Sequence, residues 1–135
     1  TLSMLQTFTE AADAVNYARF WFHEPPRDHP PKSVFMTVGL TDEFTPPDTI
    51  HAMAAAGRVP VIEPVQANIP ALDLLGIVPA GIPPYRGNVA GGRASAGIAQ
   101  YQDAGHHVIF ERPDAKQRFG RFLLQLATTD VPNIF

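Results

Sequence analysis

The 135-residue chain contains no cysteine. A disulfide framework, a thiolate zinc site and a cysteine nucleophile are all excluded by that absence. Serine is almost as scarce, with Ser3, Ser33 and Ser95 making up the whole supply. Positive charge is not in excess either. Ten Lys and Arg stand against 13 Asp and Glu, a net charge of −3, so the basic footprint of a nucleic-acid binder is missing. No apolar run approaches the ~18 residues that a membrane-spanning helix requires. The first residues also lack the basic, then apolar, then small-residue order of a signal peptide. What the chain holds in quantity is proline and glycine, 14 and 10 residues. Its 45% hydrophobic share is ordinary for a folded chain and too high for intrinsic disorder. The length suits one domain, or part of one.

Hydrophobic spacing predicts a helix over 2–22, with Leu2, Leu5, Phe8, Ala12, Val15 and Phe22 near one face. The stretch from His23 to Pro31 carries four prolines and must be extended. Ser33 to Gly39 is a short β-branched and aromatic run without strict alternation, which suits a strand buried on both faces of a parallel sheet. Thr45-Pro46-Pro47-Asp48 then reads as a helix start, with Thr45 as the cap, Pro46 in the first position and Gly57 as the stop. Val59 to Ile62 is expected to be extended, and Ile69 to Ile77 a short helix. That helix lies in a Pro/Gly/Ala-rich stretch too long for a plain connection, and so expected to be functional or mobile. Ala96 to Tyr101 reads as a second strand. A final helix from Pro113 carries Phe119, Phe122, Leu123 and Leu126 at i, i+3, i+4 and i+7. The order of helix, strand, helix, strand, helix indicates α/β layering.

Two polar segments follow the predicted strands directly. The first is Gly39-Leu40-Thr41-Asp42-Glu43, with Pro46 close behind, and the second is Asp103-Ala104-Gly105-His106-His107. In open α/β sheets, functional groups collect outside the carboxyl ends of the strands. A carboxylate on one such loop and an imidazole on the next can form a pair in which the acid fixes the tautomer of the base. In these residues the chain resembles the C-terminal half of the α/β-hydrolase family. There the acid follows a strand as Gly-x-x-Asp and the histidine follows the last strand as Gly-His, in that chain order. The resemblance covers roughly residues 33–128, and Met4 to Phe8 and Asn16 to Ala18 also look like the segment before the acid strand of bacterial esterase-like members.

The resemblance implies that Asp42 is the catalytic acid and His106 the base of a Ser-Asp-His triad, with Glu43 and His107 as the alternatives beside them. It implies a fold of class α/β, the C-terminal part of a parallel sheet with flanking helices, incomplete without an N-terminal half. Within that part, 1–32 would be a helix and Pro-rich connector, and 33–63 the acid strand and its helix. Residues 64–94 would edge the pocket, with Ile69, Leu72 and Ile82 as candidates for its apolar wall, and 95–135 would hold the histidine strand and terminal helix.

The nucleophile departs from the family. Its serine belongs in Gly-x-Ser-x-Gly at a strand-to-helix turn. Ser95 has Arg93 where the first glycine belongs, follows Asp42 in the chain and precedes a strand. The expected function is therefore that of an esterase- or lipase-like serine hydrolase acting on small-molecule carboxylic esters. This chain would supply acid and base, and an N-terminal partner segment the serine. A peptidase or polyester hydrolase on the same scaffold, and a non-catalytic binding domain, are the alternatives. No cofactor, metal, nucleic acid or membrane span is expected; Asp103, His106 and His107 lack a third histidine at helical spacing. Location is open.

Overall fold

A computed structural model describes residues 4, 7 and 9–135 of the chain. The structure is mixed α/β, with helices around a small parallel sheet. Strand β1 (Val34–Gly39) runs parallel to β3 (Ala96–Tyr101), pairing Val34 with Ala96 through to Gly39 with Tyr101. On the other side of β3, Val61 forms a parallel bridge to Ile98. β3 is thereby central, and every one of its residues is buried. Its side chains divide with the two-residue period of a strand. Ala96 and Ile98 enter one core cluster with Val38, Ala54, Val59 and Leu72, whereas Ala99 and Tyr101 enter another with Val108, Ala115 and Phe122. Both faces of the sheet are covered, as parallel pairing demands.

Helix α1 (Pro47–Ala56) buries Ala54 and Ala55 beneath a 3-10 helix (Ala14–Phe20), and Gly57 leaves the room that the Trp21 ring occupies. Helix α1 starts one residue later than the sequence suggests. Pro46 is its cap, with no side-chain bond, and the Thr45 N–H is bonded to Asp42 instead. The expected long first helix is also interrupted. Residues 11–13 form a turn, and Asp13 accepts from the Val15 N–H at 3.0 Å, starting the 3-10 segment afresh. Leu2, Leu5 and Phe8 of that expectation lie outside the described residues.

The stretch after Ile62 is stapled to the sheet. Gln100 of β3 accepts from the N–H groups of Gln66 and Ala67 at 3.0 and 3.1 Å and donates to the Ala67 carbonyl at 2.8 Å. Asn88 pairs with both backbone groups of Ala96. Between them, α2 (Pro70–Leu74) buries Leu72. β2 (Tyr85–Arg86) pairs antiparallel with β4 (Asn133–Ile134), a second sheet that the sequence pattern does not reveal because each strand has two residues. After the short α3 (Val108–Glu111), α4 (Pro113–Thr128) lays Ala115 and Phe122 on the sheet, with Phe122 against Phe35 at 5.6 Å between ring centres. Leu123 and Leu126, expected on the buried face, are exposed. Among the described residues, no helix is long and apolar enough to cross a membrane.

Candidate functional site

The strand-end loops meet because Gly39 has no side chain. A Cβ there would collide with the carbonyl oxygens of Ala104 and Gly105. The close approach is held by three bonds. The Leu40 N–H donates to the Tyr101 carbonyl at 2.9 Å, and the Ala104 carbonyl accepts from both the Thr41 N–H at 3.1 Å and the Thr41 hydroxyl at 2.9 Å. The chain then turns sharply at Asp42, whose Oδ1 accepts from the N–H groups of Phe44 and Thr45, each at 2.9 Å. This side-chain turn mimics a backbone turn and commits one carboxylate oxygen to the loop. The other oxygen, Oδ2, stands 3.0 Å from Nδ1 of His106, a residue 64 positions away in the chain.

The electrostatics suit that pair. The Asp42 carboxylate is only 8% exposed, whereas the His106 side chain is 41% exposed. Burial resists ionisation of Asp42. The Thr45 N–H, the His106 ring and the Phe44 N–H outweigh it and hold the carboxyl below its ordinary range. An ionised carboxylate can only accept, so Nδ1 is the proton-bearing nitrogen and Nε2 the free lone pair. The arrangement can take a proton at Nε2 and stabilise the imidazolium that results.

A cleft of about 420 Å³ opens at this pair, lined by Thr37, Val38, Thr45, Ile50, His107, Val108, Ile109 and Phe110 as well as Asp42 and His106. Glu43 is exposed and lies outside its lining, and His107 contacts the His106 ring at 4.9 Å between centres. The candidate wall residues are elsewhere. Ile69 and Leu72 are 3% exposed within the core, whereas Ile82 is 77% exposed, and none of the three lines the cleft. Apolar character alone does not separate a pocket wall from a core. Thr41, Ile50, Phe44 and Phe110 were not among the sequence candidates. The signal for the last two was present, since each aromatic lies within four residues of Asp42 or His106.

Ser95 is fully buried, donating to the Pro132 carbonyl and accepting from the Gly87 N–H at 2.9 Å, and Ser33 accepts from the Ser95 N–H at 3.0 Å. Neither serine lines the cleft. Ser3 lies outside the described residues. Among the described residues, no group of three or more potential ligands could hold a metal ion. A larger cleft, about 580 Å³, is lined by Phe22, His23, Arg58, Ile77, Val78 and neighbours. Its histidine, His23, stands 3.8 Å from the carboxylate of its sequence neighbour Glu24, both side chains reaching solvent, unlike the shielded Asp42 partner of His106. Comparison of the chain with protein-family models, curated proteins and solved structures found no match.

The Asp42 geometry sets a pH dependence. The folded carboxyl binds its proton less tightly than the unfolded one, whose ordinary value is about 3.9. The pair's contribution to stability is therefore complete above that value and is lost as pH falls through the lowered folded value. Urea unfolding of the chain and of Asp42→Asn, followed from pH 6 to pH 2, should show their stability difference shrinking toward the acid end. A difference constant with pH would show that the carboxylate charge is not what the fold uses.

Proposed function

We propose that this chain is the acid-and-base part of an α/β-hydrolase-type serine hydrolase acting on carboxylic esters. Its serine would lie in an N-terminal part encoded with it. The observation that carries this reading is the 3.0 Å contact between Asp42 Oδ2 and His106 Nδ1 at the adjoining carboxyl ends of two parallel strands. Acid before histidine in the chain, a cleft beside the free Nε2 and a helix after each motif support it further.

In this reading His106 Nε2 takes the proton from the serine hydroxyl as its oxygen attacks the ester carbonyl. The same proton passes to the leaving alcohol when the carbon–oxygen bond breaks. Water then repeats the cycle on the acyl-enzyme, with His106 again accepting and returning one proton. Asp42 holds the ring in the tautomer that both steps need.

Labelling the complete protein with a serine-directed phosphonate tests the reading. An adduct is expected on a serine upstream of Thr1, within Gly-x-Ser-x-Gly, and His106→Ala should slow its formation. No adduct in either protein would favour a binding domain built on the same scaffold.

A further inference from the structure

Among the described residues, the two most exposed phenylalanines stand at this site. Phe44 is 85% exposed and Phe110 73% exposed. Phe44 lies 5.7 Å from the His106 ring, His106 lies 4.9 Å from His107, and His107 lies 6.4 Å from Phe110, all between ring centres. The four rings thus form a continuous aromatic strip with the proposed base inside it. Phe44 is not loosely placed, because its N–H is bonded to Asp42 Oδ1, the same carboxylate that orients His106. Phe110 and Ile109 carry the apolar surface on into the cleft.

The chemistry says which half of an ester meets that strip. Nε2 of His106 must come within hydrogen-bond reach of the leaving alkoxide oxygen to protonate it. The carbon chain on that oxygen is therefore held against His106 and its neighbours, whereas the acyl chain departs from the carbonyl carbon on the serine. We infer that Phe44 and Phe110 are specificity-determining residues that select esters with an apolar alcohol portion. The inference rests on the ester-hydrolase reading and deepens it by naming the half of the substrate this chain recognises.

The test uses the complete protein and two ester series. Acetates of methanol, butanol and hexanol vary the alcohol at nearly constant leaving-group reactivity, and ethyl esters of acetic, butyric and hexanoic acids vary the acyl group. The parent protein should prefer hexyl over methyl acetate in kcat/KM. Phe44→Ala should reduce that ratio roughly tenfold, the scale of discrimination a hydrophobic contact supplies. Phe44→Leu should retain most of it, and the ratio across the ethyl ester series should not move. Because the Phe44 side chain is mostly exposed in this chain, its loss removes no packing within the chain's own core. A shift in the acyl series instead, or no shift in either, overturns the inference and leaves the hydrolase reading standing. Absence of phosphonate-sensitive hydrolysis overturns both.

Discussion

On the proposed ester-hydrolase reading, Asp42→Asn should lower kcat/KM of the complete protein on butyl acetate by about 10⁴-fold while leaving the fold intact. The size of the effect follows from how both carboxylate oxygens are used. Two backbone N–H groups, of Phe44 and Thr45, point at Oδ1 and require an acceptor there. The amide can meet that demand only with its carbonyl at the Oδ1 position, which puts its NH₂ where Oδ2 faced His106 Nδ1. That NH₂ donates, so Nδ1 must accept, and the ring proton is forced onto Nε2, where the base needs a lone pair. His106→Ala removes the proposed base altogether, and the loss should reach about 10⁴- to 10⁶-fold in kcat. Thermal melting of each variant separates chemistry from misfolding. A kcat/KM within about tenfold of the parent for a folded Asp42→Asn would remove Asp42 from the mechanism, because a mispaired base costs far more.

Gly39→Ala should both destabilise the chain and open the Asp42–His106 pair. The added methyl meets two backbone carbonyl oxygens, of Ala104 and Gly105, which have no flexible side chain to move aside. Overpacking of this kind costs about 1–3 kcal/mol. Relief requires the end of β1 to move away from the 101–105 loop, and the three bonds from Leu40 and Thr41 lie in that path. The measurement uses the complete protein. The low-field imidazole N–H resonance of His106 should be present in the parent and absent in Gly39→Ala, with a lowered melting temperature. A retained resonance and an unchanged melting temperature would show that the loops meet without the space this glycine leaves.

Much of the architecture could be read from residue order. Ala96 to Tyr101 was legible as a strand because a mostly small and apolar run, broken only by Gln100, lies between turn residues, and the structure gives the same bounds. Pro113 marked the start of the last helix for a local reason, since a proline fits the first turn where no donor is needed. Other features escaped because they depend on partners distant in the chain. The pairing of Tyr85–Arg86 with Asn133–Ile134 spans some fifty residues and leaves no periodic trace in two-residue strands. The long stretch after Ile62 read as functional or mobile, because nothing local discloses that Gln100 and Asn88 hold it to the sheet. The wall candidates Ile69 and Leu72 went into the core for a related reason, as apolar residues serve either purpose.

At the site itself, the amino-acid order by itself determined the reagents. It supplied a carboxylate after one strand, an imidazole after the next and no serine in the setting a nucleophile requires. It left Asp42 beside Glu43 and His106 beside His107, since chemically similar neighbours in a loop are indistinguishable in one dimension. Only the tertiary structure brought Asp42 onto His106. Parallel pairing aligns the ends of β1 and β3, and Gly39 lets the following loops touch. The two N–H groups behind Asp42 then turn its second oxygen toward the ring. A hydrogen bond has a length and an angle, and across 64 residues these are set by packing rather than by spacing.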